Sequence, residues 1–334
     1  MHKKVINEKI NLIYILGTGF CGSTLLSLIL GAQKGVLNLG EVWALEEDYY
    51  RNRLCTCGKN VRQCSYWQSI IKFYDTTIKH EKIDDFFDFN NPKEKAGLIF
   101  SKINYKHRLL HNLTCNPYYI FSKRNIIKYI NKNYFFFLSN LDYYNDRNIY
   151  ILDASKSLDR LMILNSSNLF NILLIFISRN GMSLIDSFMR RHSHKIYDKI
   201  GVTSCTKTIR WEFEIVRYLR LMEKFPRDKL YILSYEDFTT NTVTVIEELC
   251  EFLNIPYNPK TLFQTSSHYF SNSEQHVFTG NELIAKFRNI GEIKPTDLWK
   301  LNLTRWDKFL FRICGGDIMN NRLNRLGNKK SAII

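Results

Sequence analysis

The residues with the most chemical potential stand in short runs. Gly17-Thr18-Gly19-Phe20-Cys21-Gly22-Ser23-Thr24 has the G-x-x-x-x-G-x-[ST] frame of a phosphate-binding loop, with an apolar run before it and a helical pattern after it. Glycines let backbone N–H groups turn inward, and a helix start adds partial positive charge. The loop lysine that serves the β- and γ-phosphates of a nucleoside triphosphate is missing, and Ser23 stands in its place. Such a loop suits a ligand with one anionic group at its 5′ end. It argues against an ATPase, a GTPase or an ordinary kinase. Arg179 and Ser187 lie eight residues apart after another apolar run. A guanidinium fork and a hydroxyl two helical turns on can serve one anion. Glu41 ends a short apolar run, and Lys156 closes Asp153-Ala154-Ser155-Lys156. A carboxylate and an ammonium at such places suit a base and an electrophilic partner. Cys55, Cys57 and Cys64 form the one cysteine cluster. Three thiols could ligate zinc, but a structural site takes four ligands and no fourth stands nearby in sequence. A disulfide and reduced packing thiols are the other readings, and no metal is assigned.

These residues need a frame. Five short apolar runs read as buried parallel strands: Leu12–Leu16, Val36–Leu39, Asn148–Leu152, Ile172–Ile177 and Leu230–Leu233. Met182–His192, Thr208–Lys224 and Thr240–Leu253 read as helices, and residues 65–147 as mostly helical. Alternating strands and helices predict an α/β fold, a P-loop-like doubly wound parallel sheet flanked by helices. Ligands of such sheets bind beyond the carboxyl ends of the strands. Each predicted strand is followed by a polar cluster: GTGFCGSTLL, GEVW, DASKS, SRNGMSLIDS and SYEDF. All five should meet on one rim. The chain reads as a single domain over residues 1–334, with a helical insertion at about 68–147 and a solvated basic tail at about 318–334.

Composition narrows the class. The chain has 334 residues, 45% hydrophobic and 24% charged, which is ordinary for a globular protein and long enough for a large core. Its formal net charge is +15. That invites an anionic partner, but the abundance of Lys, Asn, Ile, Phe and Tyr points to background composition. No nucleic-acid recognition motif is present. Eight cysteines are too sparse for a disulfide scaffold. Asn11–Gln33 carries no charge, yet Gly17, Gly19, Gly22 and Gly31 interrupt it, so a strand, a turn and a buried helix explain it better than a membrane span. The N-terminus is polar, without a signal-peptide pattern. The expectation is a soluble, cytoplasmic protein.

The run Phe20-Cys21-Gly22-Ser23-Thr24-Leu25-Leu26 resembles the 5′-phosphosulfate loop of sulfotransferases that use 3′-phosphoadenosine 5′-phosphosulfate (PAPS), whose pattern is roughly R-S-G-T-T-L-L. Arg179 and Ser187 are similar to that family's R-x7-S pair for the 3′-phosphate, without the acidic residue and second arginine of some members (here Asn180 and Met182). His276 to Asn281, then Lys286, Arg288 and Asp297-Leu298-Trp299, resemble the nucleotide loop of bacterial sulfotransferases. The cysteine cluster is similar to their C-x-C-G…C-P-x-W segment, with Tyr66 for proline. The resemblance touches residues 12–67, 148–187, 230–254 and 270–300.

It implies transfer of the sulfuryl group of PAPS to a hydroxyl or amine of a small-molecule or carbohydrate acceptor, with 3′-phosphoadenosine 5′-phosphate (PAP) as product and no metal required. Gly19, Phe20, Cys21, Gly22, Ser23, Thr24 and Leu25 would cradle the 5′ end. Arg179, Ser187, Gly280 and Asn281, with Lys286 or Arg288, would hold the 3′-phosphate. Phe20 stands where many members carry Arg or Lys, so Lys156 is expected to supply the catalytic cation. Glu41 is expected to be the base, its carboxyl pKa raised from about 4.3 by partial burial. No histidine follows the third strand to take that role. The rival readings are a P-loop kinase-like enzyme and a catalytically degenerate PAPS- or PAP-binding protein. The aromatic run Tyr134–Phe137 with Tyr143 and Tyr144 is expected on the acceptor side, although a buried helical core would have the same composition.

Overall fold

A computed structural model describes residues 9–77, 121–192, 202–260, 275–280 and 297–327. Five strands form one sheet: β1 (Ile10–Gly17), β2 (Val36–Asn38), β3 (Tyr150–Asp153), β4 (Phe170–Ser178) and β5 (Leu230–Ser234). Their order is β2-β3-β1-β4-β5 and every pairing is parallel. The helices are α1 (Ser23–Gly31), α2 (Leu45–Tyr50), α3 (Ser65–Thr77), α4 (Lys123–Tyr144), α5 (Leu158–Asn165), α6 (Gly181–His192), α7 (Val202–Lys224), α8 (Tyr235–Thr240), α9 (Thr242–Phe252), α10 (Trp299–Asn302), α11 (Arg305–Ile313) and α12 (Gly316–Gly327). Among the described residues none is long and apolar enough to cross a membrane.

The alternation of side chains along a strand explains the layers. Leu12, Tyr14 and Leu16 of β1 join Trp67, Phe136, Phe137, Phe176 and Phe311 in one core. Ile13 and Ile15 join Leu26, Ile29, Phe238, Val245 and Leu249 in a second core on the other face. A strand covered on both faces must be apolar at nearly every position, which is why the strands were legible as short apolar runs. All five expected strands are present, each within two residues of the expected ends.

The helix expected over Thr240–Leu253 is α9, which spans Thr242–Phe252, and the short α8 precedes it. Two expectations change. The basic tail is structured through Gly327: α12 buries Met319 and Leu323 while Arg322 and Arg325 stay exposed. Its Asn320 side chain accepts the Gly181 N–H at the start of α6, 2.9 Å away. The aromatics of α4 belong mainly to the core rather than to a site, with Tyr134, Phe136 and Phe137 all buried. Of the expected helical insertion, α3 and α4 are described, and residues 78–120 lie outside the described residues.

The strand order reverses at β1, whose neighbours are β3 on one side and β4 on the other. A crevice opens at such a switch point beyond the carboxyl ends of the strands.

Candidate active site

Four residues at this rim take the left-handed backbone conformation: Phe20 (φ 63°), Gly22 (φ 91°), Gly40 (φ 68°) and Lys156 (φ 60°). Two are not glycine. Such strain costs roughly 1–3 kcal/mol per residue and persists only where the surroundings enforce it. Here each lies in the turn just past a strand: the first two past β1, Gly40 past β2 and Lys156 past β3.

The β1–α1 loop ends in Gly22, the residue just before α1. As the cap, this glycine offers no side chain, and the first turn of the helix holds no acidic residue. The first N–H groups of a helix lack intrahelical partners, so this terminus favours an anion. A Cβ on Gly22 would sit 2.4 Å from the Tyr235 ring, so only glycine fits between loop and ring. Cys21 is buried, and burial pushes its thiol pKa up, while the Lys156 charge acts the other way and Glu41 adds to the rise. Cys21 is thus a packed thiol that contributes its backbone to the loop.

Arg179 enters from the end of β4. Its Nη1 donates to the Phe20 carbonyl at 2.8 Å and approaches Ser187 Oγ at 3.5 Å. Its Cζ lies 4.3 Å from the centroid of the Tyr235 ring. The stacked ring and the loop carbonyl fix the guanidinium plane. Ser187 donates to the Ser183 carbonyl at 2.8 Å and takes a long contact from Arg190. The expected Arg–Ser pair is therefore assembled beside the loop. Tyr235, the first residue after β5, is a partner that sequence reasoning missed; only its place after a strand pointed to it.

Glu41 and Lys156 come together from the other side. Lys156 Nζ donates to Glu41 Oε1, and Trp43 Nε1 donates to Oε2 at 3.1 Å. Both side chains are mostly buried. Glu41 starts the turn after Gly40 without capping it by its side chain. Its backbone N–H donates to Thr279 Oγ1 at 2.7 Å, and the Gly40 N–H to Asn38 Oδ1 at 2.9 Å. A Cβ on Gly40 would meet Thr279 Oγ1 at 2.5 Å, so the 275–280 segment packs directly on this turn.

Asp153 is not the partner of Lys156. It binds Arg160 Nε at 2.8 Å, both side chains fully buried, and accepts from Ser155. Arg160 Nη1 also donates to the Tyr129 hydroxyl of α4 at 2.7 Å. Burial is the largest single effect and lowers the Arg160 pKa, but the charge and hydrogen bond of Asp153 together with Tyr129 and Tyr14 outweigh it, and the net direction is up. This pair locks the turn that carries Lys156.

Gly280 is at the end of its segment, with its carbonyl accepting from Arg53 Nη1 at 3.2 Å. Asn281, Lys286 and Arg288 lie outside the described residues. A cavity of about 260 Å³ borders Gly19 and Phe20, walled by Ile185, Phe188 and Trp211 and edged by Lys207, Arg210 and Glu214, the last two paired at 3.2 Å. At the end of α6, Arg191 lies 5.8 Å from the Phe20 ring, bringing a cation to the residue where a loop cation is missing.

A parallel sheet with this strand order, a glycine loop at its switch point and basic side chains on both flanks is a frame suited to an anionic ligand. The sulfotransferase family model matches residues 13–259, and the chain belongs to that family. The fold is similar to the sulfotransferase domain of the olefin synthase of Synechococcus PCC 7002, with a TM-score of 0.50 and 14% identity over 92% of this chain and 94% of that one. The sulfotransferase domain of the curacin biosynthetic pathway aligns with a TM-score of 0.49 and 14% identity over 93% of this chain and 98% of that one. A search of curated protein sequences finds no significant match.

Proposed function

We propose that the protein transfers the sulfuryl group of PAPS to a hydroxyl or amine of a small acceptor. One observation carries the reading: a glycine-capped loop-and-helix terminus at the β1 switch point has the Arg179–Ser187 pair on one flank and the Glu41–Lys156 pair on the other. Two anionic ends and one reacting centre need that arrangement.

The backbone from Gly19 to Leu25 holds the 5′ end. Ser23 in place of the loop lysine leaves no ammonium there for a triphosphate. Arg179 and Ser187 hold the 3′-phosphate, with Gly280, Asn281 and Lys286 or Arg288 closing over it. Charge develops on the bridging oxygen as its bond to sulfur breaks and the acceptor oxygen bonds to sulfur. Lys156 stabilises that leaving oxygen. Glu41 takes the proton that the acceptor loses. Trp43 and Lys156 orient the carboxylate before any acceptor arrives. The cavity beside Phe20 receives the acceptor, and its aromatic walls suit a ring such as a sugar.

Incubation with PAPS labelled in the sulfuryl group and a panel of sugars, phenols and amines tests the reading. The expected result is label transfer to one acceptor class with equimolar PAP release. Label in no acceptor, together with tight PAP binding, would instead identify a nucleotide-binding protein without transferase activity.

A further inference from the structure

The cysteine cluster lacked a fourth ligand in the sequence, and the fold supplies one. Cys55, Cys57, Cys64 and His276 present their ligand atoms within 4.8 Å of one another. Cys64 Sγ lies 3.9 Å from Cys55 Sγ, 3.7 Å from Cys57 Sγ and 3.2 Å from His276 Nδ1. Zinc–sulfur bonds of about 2.3 Å give a tetrahedron whose S···S edges are about 3.8 Å, and a zinc–nitrogen bond of about 2.0 Å gives S···N edges of about 3.5 Å. A disulfide would need about 2.05 Å. The three edges that meet at Cys64 are close to the tetrahedral values.

The surroundings have the form of a built site. Leu54 and Asn60 pair in an antiparallel bridge, and between them Cys55 N–H donates to the Lys59 carbonyl at 2.9 Å and Gly58 N–H to the Cys55 carbonyl at 2.8 Å. Gly58, at φ 88°, turns the chain where a side chain would be strained. This tight hairpin aims two thiols the same way, and Cys64 follows from the turn before α3. The imidazole of His276 stacks on Tyr66 with centroids 4.7 Å apart and planes 9° apart, and its carbonyl accepts from Trp67 Nε1 at 2.7 Å. The ring is thus held in plane with Nδ1 toward the sulfurs. Cys55 and Cys64 are buried while Cys57 and His276 are partly open, which leaves an entry path.

We propose that Cys55, Cys57, Cys64 and His276 bind one zinc ion as a closed structural site. Three thiolates and an imidazole form a set that zinc takes readily and that calcium and magnesium do not. All four positions are filled by protein, so the ion has no open place for a substrate. Its effect is mechanical. It joins the hairpin to the 275–280 segment, where Thr56 N–H already donates to the Val277 carbonyl at 2.8 Å and Val277 N–H to Thr56 Oγ1 at 3.0 Å. Three residues past His276, Thr279 braces the Glu41 turn. Zinc would therefore fix the buttress of the proposed base. The site itself stands whether or not Glu41 is that base.

The test is metal analysis of the full chain, purified under reducing conditions in zinc-supplemented buffer with any affinity tag removed. About one zinc per chain is expected, released by a thiol-blocking mercurial. Cobalt added to metal-free protein should give the visible absorption bands of a tetrahedral sulfur-rich site. Cys57→Ser and His276→Ala should each lose most of the bound zinc. Wild-type protein with under about 0.2 zinc per chain and no tetrahedral cobalt spectrum would overturn the proposal. So would peptide mapping that finds a disulfide among these cysteines in protein never exposed to oxidant. The wild-type measurements decide by themselves, so a variant that fails to fold changes neither outcome. PAP affinity, read in parallel, separates this site from the nucleotide site: a zinc-free protein that binds PAP overturns the metal and keeps the nucleotide site.

Discussion

Glu41→Gln is expected to bind PAP within about twofold of wild type and to turn over roughly 10²–10⁴-fold more slowly, the range that a positioned general base contributes. The amide keeps the shape of the carboxylate and can still accept from Trp43 or Lys156, so the Glu41 turn should stay in place. What it loses is the capacity to take a proton. The rate of PAP formation with the acceptor found by label transfer is the readout. Turnover within about threefold of wild type would remove Glu41 as base and leave it the role of holding Lys156. A loss of PAP affinity to match the loss of rate would instead place Glu41 in nucleotide binding.

Asp153→Ala is expected to destabilise the fold by about 3–5 kcal/mol, because it strands a fully buried guanidinium. Arg160 would keep the Tyr129 hydroxyl as a partner but lose its counter-charge. The same change frees the Ser155 N–H and hydroxyl, both bound to Asp153 Oδ1. The denaturation midpoint measures this. Asp153→Asn should cost less, since an amide oxygen can still accept from Arg160 or Ser155. A loss below about 1 kcal/mol for the alanine variant would show that the pair does not hold the β3 turn. If the turn does carry Lys156 into place, turnover in the asparagine variant should fall further than its stability predicts.

The frame was legible because it depends on local pattern. Strands covered on both faces must be apolar, and polar clusters after each strand mark the rim. The loop, Arg179 and Ser187 were readable for the same reason, since each lies beside its own strand. What escaped the sequence is pairing across long separations. Glu41 and Lys156 are 115 residues apart, whereas Asp153 is only three residues from Lys156. In the fold, Arg160 takes Asp153 and leaves Lys156 for Glu41. His276 is 212 residues from Cys64, so a fourth ligand could not be found by looking nearby. The tail was misread through its charge: Arg322 and Arg325 dominate the composition, but Met319, Leu323 and Leu326 recur at helical spacing and pack. The α4 aromatics were misread the other way, because a core face and a ligand-stacking face share one composition.

The +15 charge needs no polymer partner if named cations converge on one small anionic nucleotide. Isothermal titration of the full chain with PAP and, separately, with ATP and magnesium tests that convergence most directly. The expected result is one PAP site, little or no heat from ATP, and a PAP affinity reduced about 10–100-fold in Arg179→Ala, the value of a charge-assisted phosphate contact. ATP binding without PAP binding, or a PAP affinity unchanged by Arg179→Ala, would contradict it.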